Sequence, residues 1–314
     1  MKAFHADRYL LSLPAGHTFP AGKYRRLRGL VERWPGLEII EAEPADDAVL
    51  TLAHTEAYVR AVAGNGLTGT EQRAIGFPWS EGMVARSRCS VGATIAATRA
   101  ALVEGVAANL AGGTHHASAS RGSGYCVFND VAVAARLLQS EYGRSRIASA
   151  PTPRIAVIDL DVHQGDGTAA IFAGDTSVFT VSLHGEKNFP FRKVASDLDV
   201  ALPDGCGDAD YLAALDIALA ALWREHEARS FGLAFYLAGA DPHEGDRLGR
   251  LKLSAAGLLE RDRTVLAALR ERRIPVALSM AGGYGRDIDV TVQIQAATIR
   301  AAIDSWQGWK NAGR

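Results

Sequence analysis

The sequence predicts an α/β fold in which a parallel sheet is covered by helices on both faces. After Gly105, short apolar runs alternate with longer amphipathic stretches along the 314-residue chain. The apolar runs lack polar alternation, which is typical of strands that are buried on both faces. Strands that alternate with helices in this way form parallel sheets with right-handed crossovers.

Apolar runs of strand length predict the members of this sheet. Five of them follow Gly105, at residues 106–110, 154–160, 177–183, 231–237 and 275–280. One more short strand is predicted near the N-terminus, at residues 37–40.

Helical periodicity fills the segments between the strands. It predicts helices at residues 129–142, 167–174, 209–228, 254–273 and about 287–305, and, before Gly105, at 21–34, 46–64 and 85–104. The longest irregular stretch is 66–82, and residues 144–154 predict an exposed loop. Because no repeat, low-complexity segment or charge block divides the chain, we expect residues 1–314 to form a single domain.

The composition excludes several classes of protein. Apolar residues make up 48% and charged residues 22%, and the net charge of −1 argues against a general nucleic-acid binder. The three cysteines lie far apart and predict neither disulfides nor a thiolate metal site. No secretory signal and no apolar run of about 18 residues is present, which predicts a cytoplasmic location and no membrane contact. The composition predicts no oligomeric state.

Polar residues follow five of the predicted strands at the point where each strand ends. In a parallel sheet the carboxyl ends of the strands share one edge, and ligands bind there. We therefore expect one site that contains His, Asp and Tyr side chains. The segments concerned are AGGTHHA, DVHQGDG, HGEKNFPF, AGADPHEGD and AGGYG.

The D-x-D-x-H pattern of Asp159, Asp161 and His163 predicts a metal site. Side chains alternate along a strand, so these three are expected on the same side. Two carboxylates beside an imidazole on an apolar strand are costly without a cation. The alternative is that the carboxylates cap the helix that starts near Gly165, for which Asp166 is better placed.

Asp161 and His163 need a further ligand, and Asp241 follows another strand at the same edge. Two oxygens and one nitrogen suit Zn²⁺ or Fe²⁺, and three protein ligands leave positions for water and substrate. A role for Asp241 as a helix cap is the alternative.

The adjacent His115 and His116 follow two glycines at a strand end and predict an acid/base pair. Asp159 and Asp166 are the spare carboxylates that can orient the two imidazoles. Tyr284, which follows flexible glycines, is predicted to donate a hydrogen bond to a developing oxyanion.

Six motifs, in this order and spacing, resemble the zinc-dependent histone deacetylases over essentially residues 1–310: GGTHHA, GYCVFND, IDLDVHQGDG, TVSLH, AGADPHEGDRLG and AGGYG. HQGDG, EKNFPF and the run EGDRLGRLKLSAAGLLERD are most similar to class IV deacetylases. The resemblance implies the arginase/deacetylase fold, with a central parallel sheet of about eight strands and helices on both faces.

The resemblance also implies roles for single residues. Asp161, His163 and Asp241 match the zinc ligands. His116 matches the general base and acid, paired with Asp166, and His115 matches its electrostatic partner, paired with Asp159. Tyr284 matches the residue that polarises the carbonyl. A structural K⁺ site is implied at Asp159, Asp161, His163, Ser182 and Leu183, and the walls of an acyl-lysine tunnel are implied at Gly124, Tyr125, Phe189 and Gly283.

Three positions depart from the common pattern of that family. Tyr125 stands where many relatives have Phe, Gln164 replaces the second His of HHGDG, and Ala281 replaces a Gly. None of these changes removes a group that the implied mechanism needs.

The implied activity is zinc-dependent hydrolysis of an N-acyl-lysine amide in a protein or peptide, or of a small acylated amine. A long-chain fatty-acyl-lysine or an acetylpolyamine-type amide is an alternative substrate. A two-manganese ureohydrolase typically needs an Asp-x-Asp pair where this chain has only Asp241 before Pro242 and His243. A non-catalytic acyl-lysine binding module is disfavoured because every ligand, the base and the tyrosine are present.

Overall fold

The computed structural model describes residues 1–9, 11–144 and 152–312. Eight strands form one sheet in the order β2-β1-β3-β8-β7-β4-β5-β6, and all neighbouring strands are parallel. This confirms the predicted sheet. The strands are β1 (Lys2–His5), β2 (Glu38–Glu41), β3 (Val106–Asn109), β4 (Arg154–Asp159), β5 (Val178–Gly185), β6 (Leu198–Leu202), β7 (Phe231–Leu237) and β8 (Val276–Ser279).

Helices cover both faces of this sheet, as predicted. One apolar core contains Ala156 and Ile158 of β4, and the other contains Ile155 and Val157, because successive side chains point to opposite faces. The helices are α1 (Lys23–Val31), α2 (Asp47–Leu50), α3 (Glu56–Ala63), α4 (Gly69–Ile75), α5 (Glu81–Glu104), α6 (Asp130–Arg144), α7 (Asp166–Phe172), α8 (Asp208–Ala228), α9 (Ala255–Glu271) and α10 (Ile288–Ala312).

Two strands, and the division of one predicted helix into two, were not predicted from the sequence. Strand β1 is short and polar at both ends, and edge strand β6 alternates between partly buried and exposed residues. Neither segment is a continuous apolar run. The helix predicted at 46–64 is two helices, because Asp46 caps α2 and Thr55 caps α3 through their side chains.

The prediction that residues 66–82 are irregular is wrong. Helix α4 lies inside this stretch and begins with a capping box, in which Thr68 and Glu71 bind each other's backbone N–H groups. It ends at Gly76, which has a left-handed conformation with φ of 86°. The loop predicted at 144–154 lies largely outside the described residues.

Cys89, Cys126 and Cys206 are buried free thiols, which agrees with the prediction of no disulfides. None of the helices in the described ranges combines the length and the apolar character needed to span a bilayer.

The register of the central strands aligns their carboxyl ends in one row. Asp159 of β4 lies beside Leu237 of β7, which lies beside Ser279 of β8, and Ser279 pairs with Asn109 of β3. The loops that follow these strands therefore leave the sheet side by side. These loops carry the motifs from which the sequence predicted a site.

Candidate active site

The three predicted metal ligands come together at this edge. Ligand atoms of Asp161, His163 and Asp241 all lie within 4.8 Å of one another, and all three residues are buried. Nδ1 of His163 is 3.0 Å from Oδ1 of Asp161 and 3.4 Å from Oδ2 of Asp241. Among the described residues this is the one group of three or more such side chains with metal-binding geometry.

Backbone hydrogen bonds hold these side chains in place. Strand β4 ends at Asp159, so Asp161 and His163 follow the strand instead of alternating along it. The N–H of Asp161 donates to Asp159, the N–H of His163 donates to Asp161, and the N–H of Val162 donates to Oδ1 of Asp241. The predicted residues lie together in the structure, but the strand alternation from which they were predicted ends before Asp161 and His163.

The surroundings of Asp241 and Asp161 fit a bound cation. Oδ2 of Asp241 is buried and has no hydrogen-bond partner within the described ranges, a costly arrangement for a carboxylate. Burial, followed by the charge of Asp161, raises the pKa of Asp241 to about 7. A Cβ atom on Gly282 would lie 1.8 Å from this Oδ2, so the backbone approaches this closely only because residue 282 is glycine. Two carboxylates and one imidazole are a donor set that suits Zn²⁺.

The helix-capping alternatives find little support. The next helix after Asp241 is α9, which begins at Ala255, so Asp241 caps no helix. The N-cap of α7 is Gly165, without a side-chain cap, and Asp166 is the first residue of that helix.

Each of the two adjacent histidines lies against one carboxylate. Nδ1 of His115 is 2.6 Å from Oδ2 of Asp159, and Nδ1 of His116 is 2.6 Å from Oδ1 of Asp166. The two rings lie with their centroids 4.2 Å apart. The structure thus contains the two pairs that the resemblance implies.

The two imidazoles have opposite protonation preferences. Burial disfavours the charged form of both. For His115, the charges of Asp159 and Asp161 outweigh burial and raise the pKa to about 9. For His116, burial and the nearby charge of His115 lower the pKa to about 4. At neutral pH His116 is therefore the imidazole that is free to accept a proton.

Tyr284 is fixed by its backbone, and its ring lies between two cavities. Its N–H donates to Asp246, and its carbonyl accepts a hydrogen bond from Arg247. Behind it, the buried ammonium of Lys23 donates to the carbonyl of Gly283. Burial raises the pKa of Tyr284 well above its usual value, so the hydroxyl keeps its proton and can donate a hydrogen bond.

Two cavities adjoin the metal-binding group: Asp161 and His163 line an inner cavity of about 40 Å³, and His163 also lines an outer cavity of about 600 Å³. The two cavities share the lining residues His116, Gly124, Tyr125, His163 and Tyr284. The inner cavity also contacts Phe19, Tyr24, Arg86, Ser90 and the glycines of the GGTHH segment.

The predicted tunnel residues divide between these cavities. Gly124 and Tyr125 line both of them, and Phe189 lines the outer one with its ring centroid 4.9 Å from that of His116. Gly283 lines neither. A Cβ atom there would point at Thr291 and Ala240, so the structure places this residue outside the tunnel.

The residues of the predicted K⁺ site are neighbours in the sheet. Ser182 pairs with Asp159 in register, and Leu183 is fully buried beside it. The hydroxyl of Ser182 is 3.0 Å from Nδ1 of His184. Potassium binding at these residues stays a prediction.

The sequence analysis missed Arg261. This residue is fully buried on α9, and its guanidinium donates to the carbonyls of Leu160 (3.2 Å) and Gly239 (2.7 Å). It thereby ties together the two segments that carry Asp161 and Asp241. A signal was present, because Arg261 lies on the apolar face of α9, three residues after Leu258 and four before Val265.

Comparisons with known proteins agree with these observations. The family profile described as "Histone deacetylase domain" matches residues 17–301. An uncharacterized protein of Picosynechococcus is 42% identical over 304 residues, which cover 96% of this chain and 97% of that protein. Histone deacetylase 2 of Arabidopsis thaliana is 31% identical over 284 residues, covering 85% and 70%. The crystal structure of an HDAC homolog from Aquifex aeolicus has a TM-score of 0.78 at 25% identity and covers 96% of this chain and 83% of that one.

Proposed function

Because this chain belongs to the histone deacetylase family, we propose that it hydrolyses N-acyl-lysine amides in a metal-dependent reaction. One observation carries the proposal. The buried group of Asp161, His163 and Asp241 includes one residue, His163, that lines both cavities together with the neutral His116 and the protonated Tyr284. We further propose that residues 1–314 act as a single catalytic domain.

Asp161, His163 and Asp241 would hold Zn²⁺, with Fe²⁺ as the alternative ion, and a structural K⁺ would bind at Asp159, Ser182 and their neighbours. When bound, Zn²⁺ supplies Lewis-acid chemistry, polarising the acyl carbonyl and lowering the pKa of a water toward about 7. The unpartnered Oδ2 of Asp241 supports this assignment.

His116 would act as the general base and then as the general acid. Its Nδ1 faces Asp166, which leaves Nε2 directed toward the cavity. Nε2 accepts a proton from the attacking water and later delivers a proton to the leaving amine. Asp166 fixes the orientation of the ring. His115 remains cationic beside Asp159 and adds positive charge next to the reacting carbonyl.

Tyr284 would stabilise the oxyanion. Its hydroxyl keeps its proton over the physiological range and lies at the wall shared by both cavities. A hydrogen bond from this hydroxyl strengthens as negative charge develops on the acyl oxygen. Asp246, Arg247 and Lys23 hold the backbone around the tyrosine, so the donor is oriented before substrate binds.

The volumes of the two cavities favour a short acyl group. The inner cavity of about 40 Å³ has room for about three water molecules. An acetyl group suits this space better than a long fatty-acyl chain. The amine side of the substrate would lie in the outer cavity, which has room for a lysine side chain and part of its peptide.

The test is hydrolysis of an acetyl-lysine peptide by purified protein, followed by acetate release. We expect turnover that a chelator abolishes and that Zn²⁺ restores. The Asp241→Asn variant keeps an oxygen for the N–H of Val162 but loses a charged ligand. We expect this variant to fall from about one bound Zn²⁺ per chain to well below one, and to lose activity.

Asp216→Asn is the matched control, because Asp216 is an exposed carboxylate on α8. This variant should keep both the metal and the activity. Turnover by chelator-stripped protein, or full activity of Asp241→Asn, would contradict the proposal.

A further inference from the structure

The outer cavity has an apolar wall that continues to the protein surface. Ile75, Tyr125, Phe189 and Leu248 line this wall. Phe191 lines the cavity at its outer edge and is 88% exposed, the largest exposure among the large apolar side chains of the described residues. Such exposure beside a cavity is typical of a binding surface. The wall explains how a substrate is held, but not which substrate.

The charges that line this cavity all have the same sign. Arg73, Lys187 and Arg250 line it, and its described lining contains no Asp or Glu. Arg250 forms a two-pronged ion pair with Asp204. Arg73 and Lys187 are exposed and form no salt bridge within the described ranges. The mouth of the outer cavity therefore carries two positive charges without a salt-bridge partner in the described ranges, although the whole chain has a net charge of −1.

The segment around Lys187 adds to this positive potential. Residues 186–193 contain three cations and one carboxylate, Glu186, which does not line the cavity. The ammonium of Lys193 donates to the carbonyls of Asn188 and Pro190. This contact fixes the loop that carries Lys187, Phe189 and Phe191. The positive charge of Lys187 therefore lies on a loop whose backbone is held in place by hydrogen bonds.

We propose that the preferred substrate of this protein is an acyl-lysine flanked by acidic residues. The inference rests on the proposed function, which places the amine side of the substrate in the outer cavity. Carboxylates next to the acyl-lysine would lie close to Arg73 and Lys187, whereas lysines or arginines there would meet like charges. Complementary charge at the edge of a binding site speeds association and disfavours partners of the wrong sign.

The direct test uses three peptides of equal length with one central acetyl-lysine. The two residues on each side are Glu, Gln or Lys. At low salt we expect kcat/KM for the Glu peptide to exceed that for the Lys peptide by about tenfold, mainly through KM. At about 0.5 M NaCl, where charges are screened beyond roughly 4 Å, the ratio should approach one. Equal values for all three peptides at low salt, or a preference for Lys, would overturn the inference.

Charge reversal assigns the effect to the named residues. Lys187→Glu and Arg73→Glu should each lower the Glu-to-Lys ratio by about threefold, and the double variant should bring the ratio close to one. Arg263→Glu is the control, because Arg263 is exposed on α9, lines neither the inner nor the outer cavity and undergoes the same change of charge. A ratio that changes equally in this control would also overturn the inference.

Binding separates a failure of this inference from a failure of the proposed function. Fluorescence anisotropy with labelled Glu and Lys peptides reports preference without turnover. Tighter binding of the Glu peptide without hydrolysis of any peptide would contradict the proposed activity and support the acidic preference. Hydrolysis of all three peptides, bound with equal affinity, would support the proposed activity and contradict the acidic preference.

Discussion

The candidate site has a floor, which contains Asp161, His115 and His116, and a mouth, which contains Lys187 and Phe191. These two regions differ in how their side chains are held. On the floor, Asp161 accepts hydrogen bonds from two backbone N–H groups, His115 contacts Asp159, and His116 contacts Asp166. At the mouth, Lys187 and Phe191 project into solvent. Buried polar groups need partners, so few arrangements of the floor are possible, whereas the mouth has no such requirement. Under the proposed function, the floor would determine the reaction and the mouth would determine which substrate reaches it.

The largest expected effect is a loss of kcat on substitution of a histidine of the floor, and the two histidines should differ in the size of this loss. His116→Ala should lower kcat by about 10²- to 10⁴-fold, because it removes the imidazole that is neutral at pH 7. His115→Ala should cost less, because His115 already carries its proton. Initial rates on an acetyl-lysine peptide, with Zn²⁺ content measured for each variant, test this order.

An equal loss in both variants would mean that the difference in pKa does not divide their roles. A loss of Zn²⁺ from His116→Ala would mean that the variant reports on metal binding instead of proton transfer.

A second, smaller effect tests whether the geometry of the floor depends on the buried Arg261. Arg261→Lys keeps the charge but loses the planar guanidinium that reaches the carbonyls of Leu160 and Gly239. We expect Zn²⁺ affinity to fall by about 10- to 100-fold, as is typical when a residue that orients metal ligands is changed. Competition with a chromophoric chelator measures this affinity.

Arg263→Lys is the matched control, because it makes the same change two residues away on the exposed face of α9. Unchanged Zn²⁺ affinity in Arg261→Lys would show that the ligand positions do not need this contact.

The smallest effect is expected at the mouth. Phe191→Ala should raise KM for an acetyl-lysine peptide by about two- to fivefold and leave kcat unchanged, because it removes apolar contact area far from the reacting atoms. Steady-state kinetics separate the two constants. Val103→Ala on α5 is the control, since Val103 is 86% exposed and lines neither of the two site cavities. A fall in kcat in Phe191→Ala would place this ring in the catalytic step.

The floor and the mouth also differ in how well the sequence predicted them. Six of the eight strands and the grouping of Asp161, His163 and Asp241 followed from apolar runs and from the polar residues at their ends. Arg261 was missed although its spacing from Leu258 and Val265 was visible in the sequence, because two of its partners are backbone carbonyls 101 and 22 residues away, and no local pattern reveals those partners.

The mouth was the least predictable region. Arg73 and Lys187 are ordinary surface residues in the sequence, and they meet at one cavity only because α4 and the loop after β5 are neighbours in the fold. Since α4 was expected to be irregular, Arg73 could not be placed from the sequence. When a site is formed by segments that are distant in the sequence, its charge can be predicted only from the tertiary structure.

The contact of Lys23 with Gly283 also bears on the order in which this protein matures. The two residues are 260 positions apart, and Asp161 and Gly282 are 121 apart. During synthesis, the N-terminal half must wait for the segment after β8 before these contacts can close. Contacts of such long range form slowly compared with local ones. Binding of the proposed zinc during refolding would therefore report the formation of these contacts. A chain truncated after Met280 would contain the residues of all eight strands but would lack the Gly282 N–H that donates to Asp161.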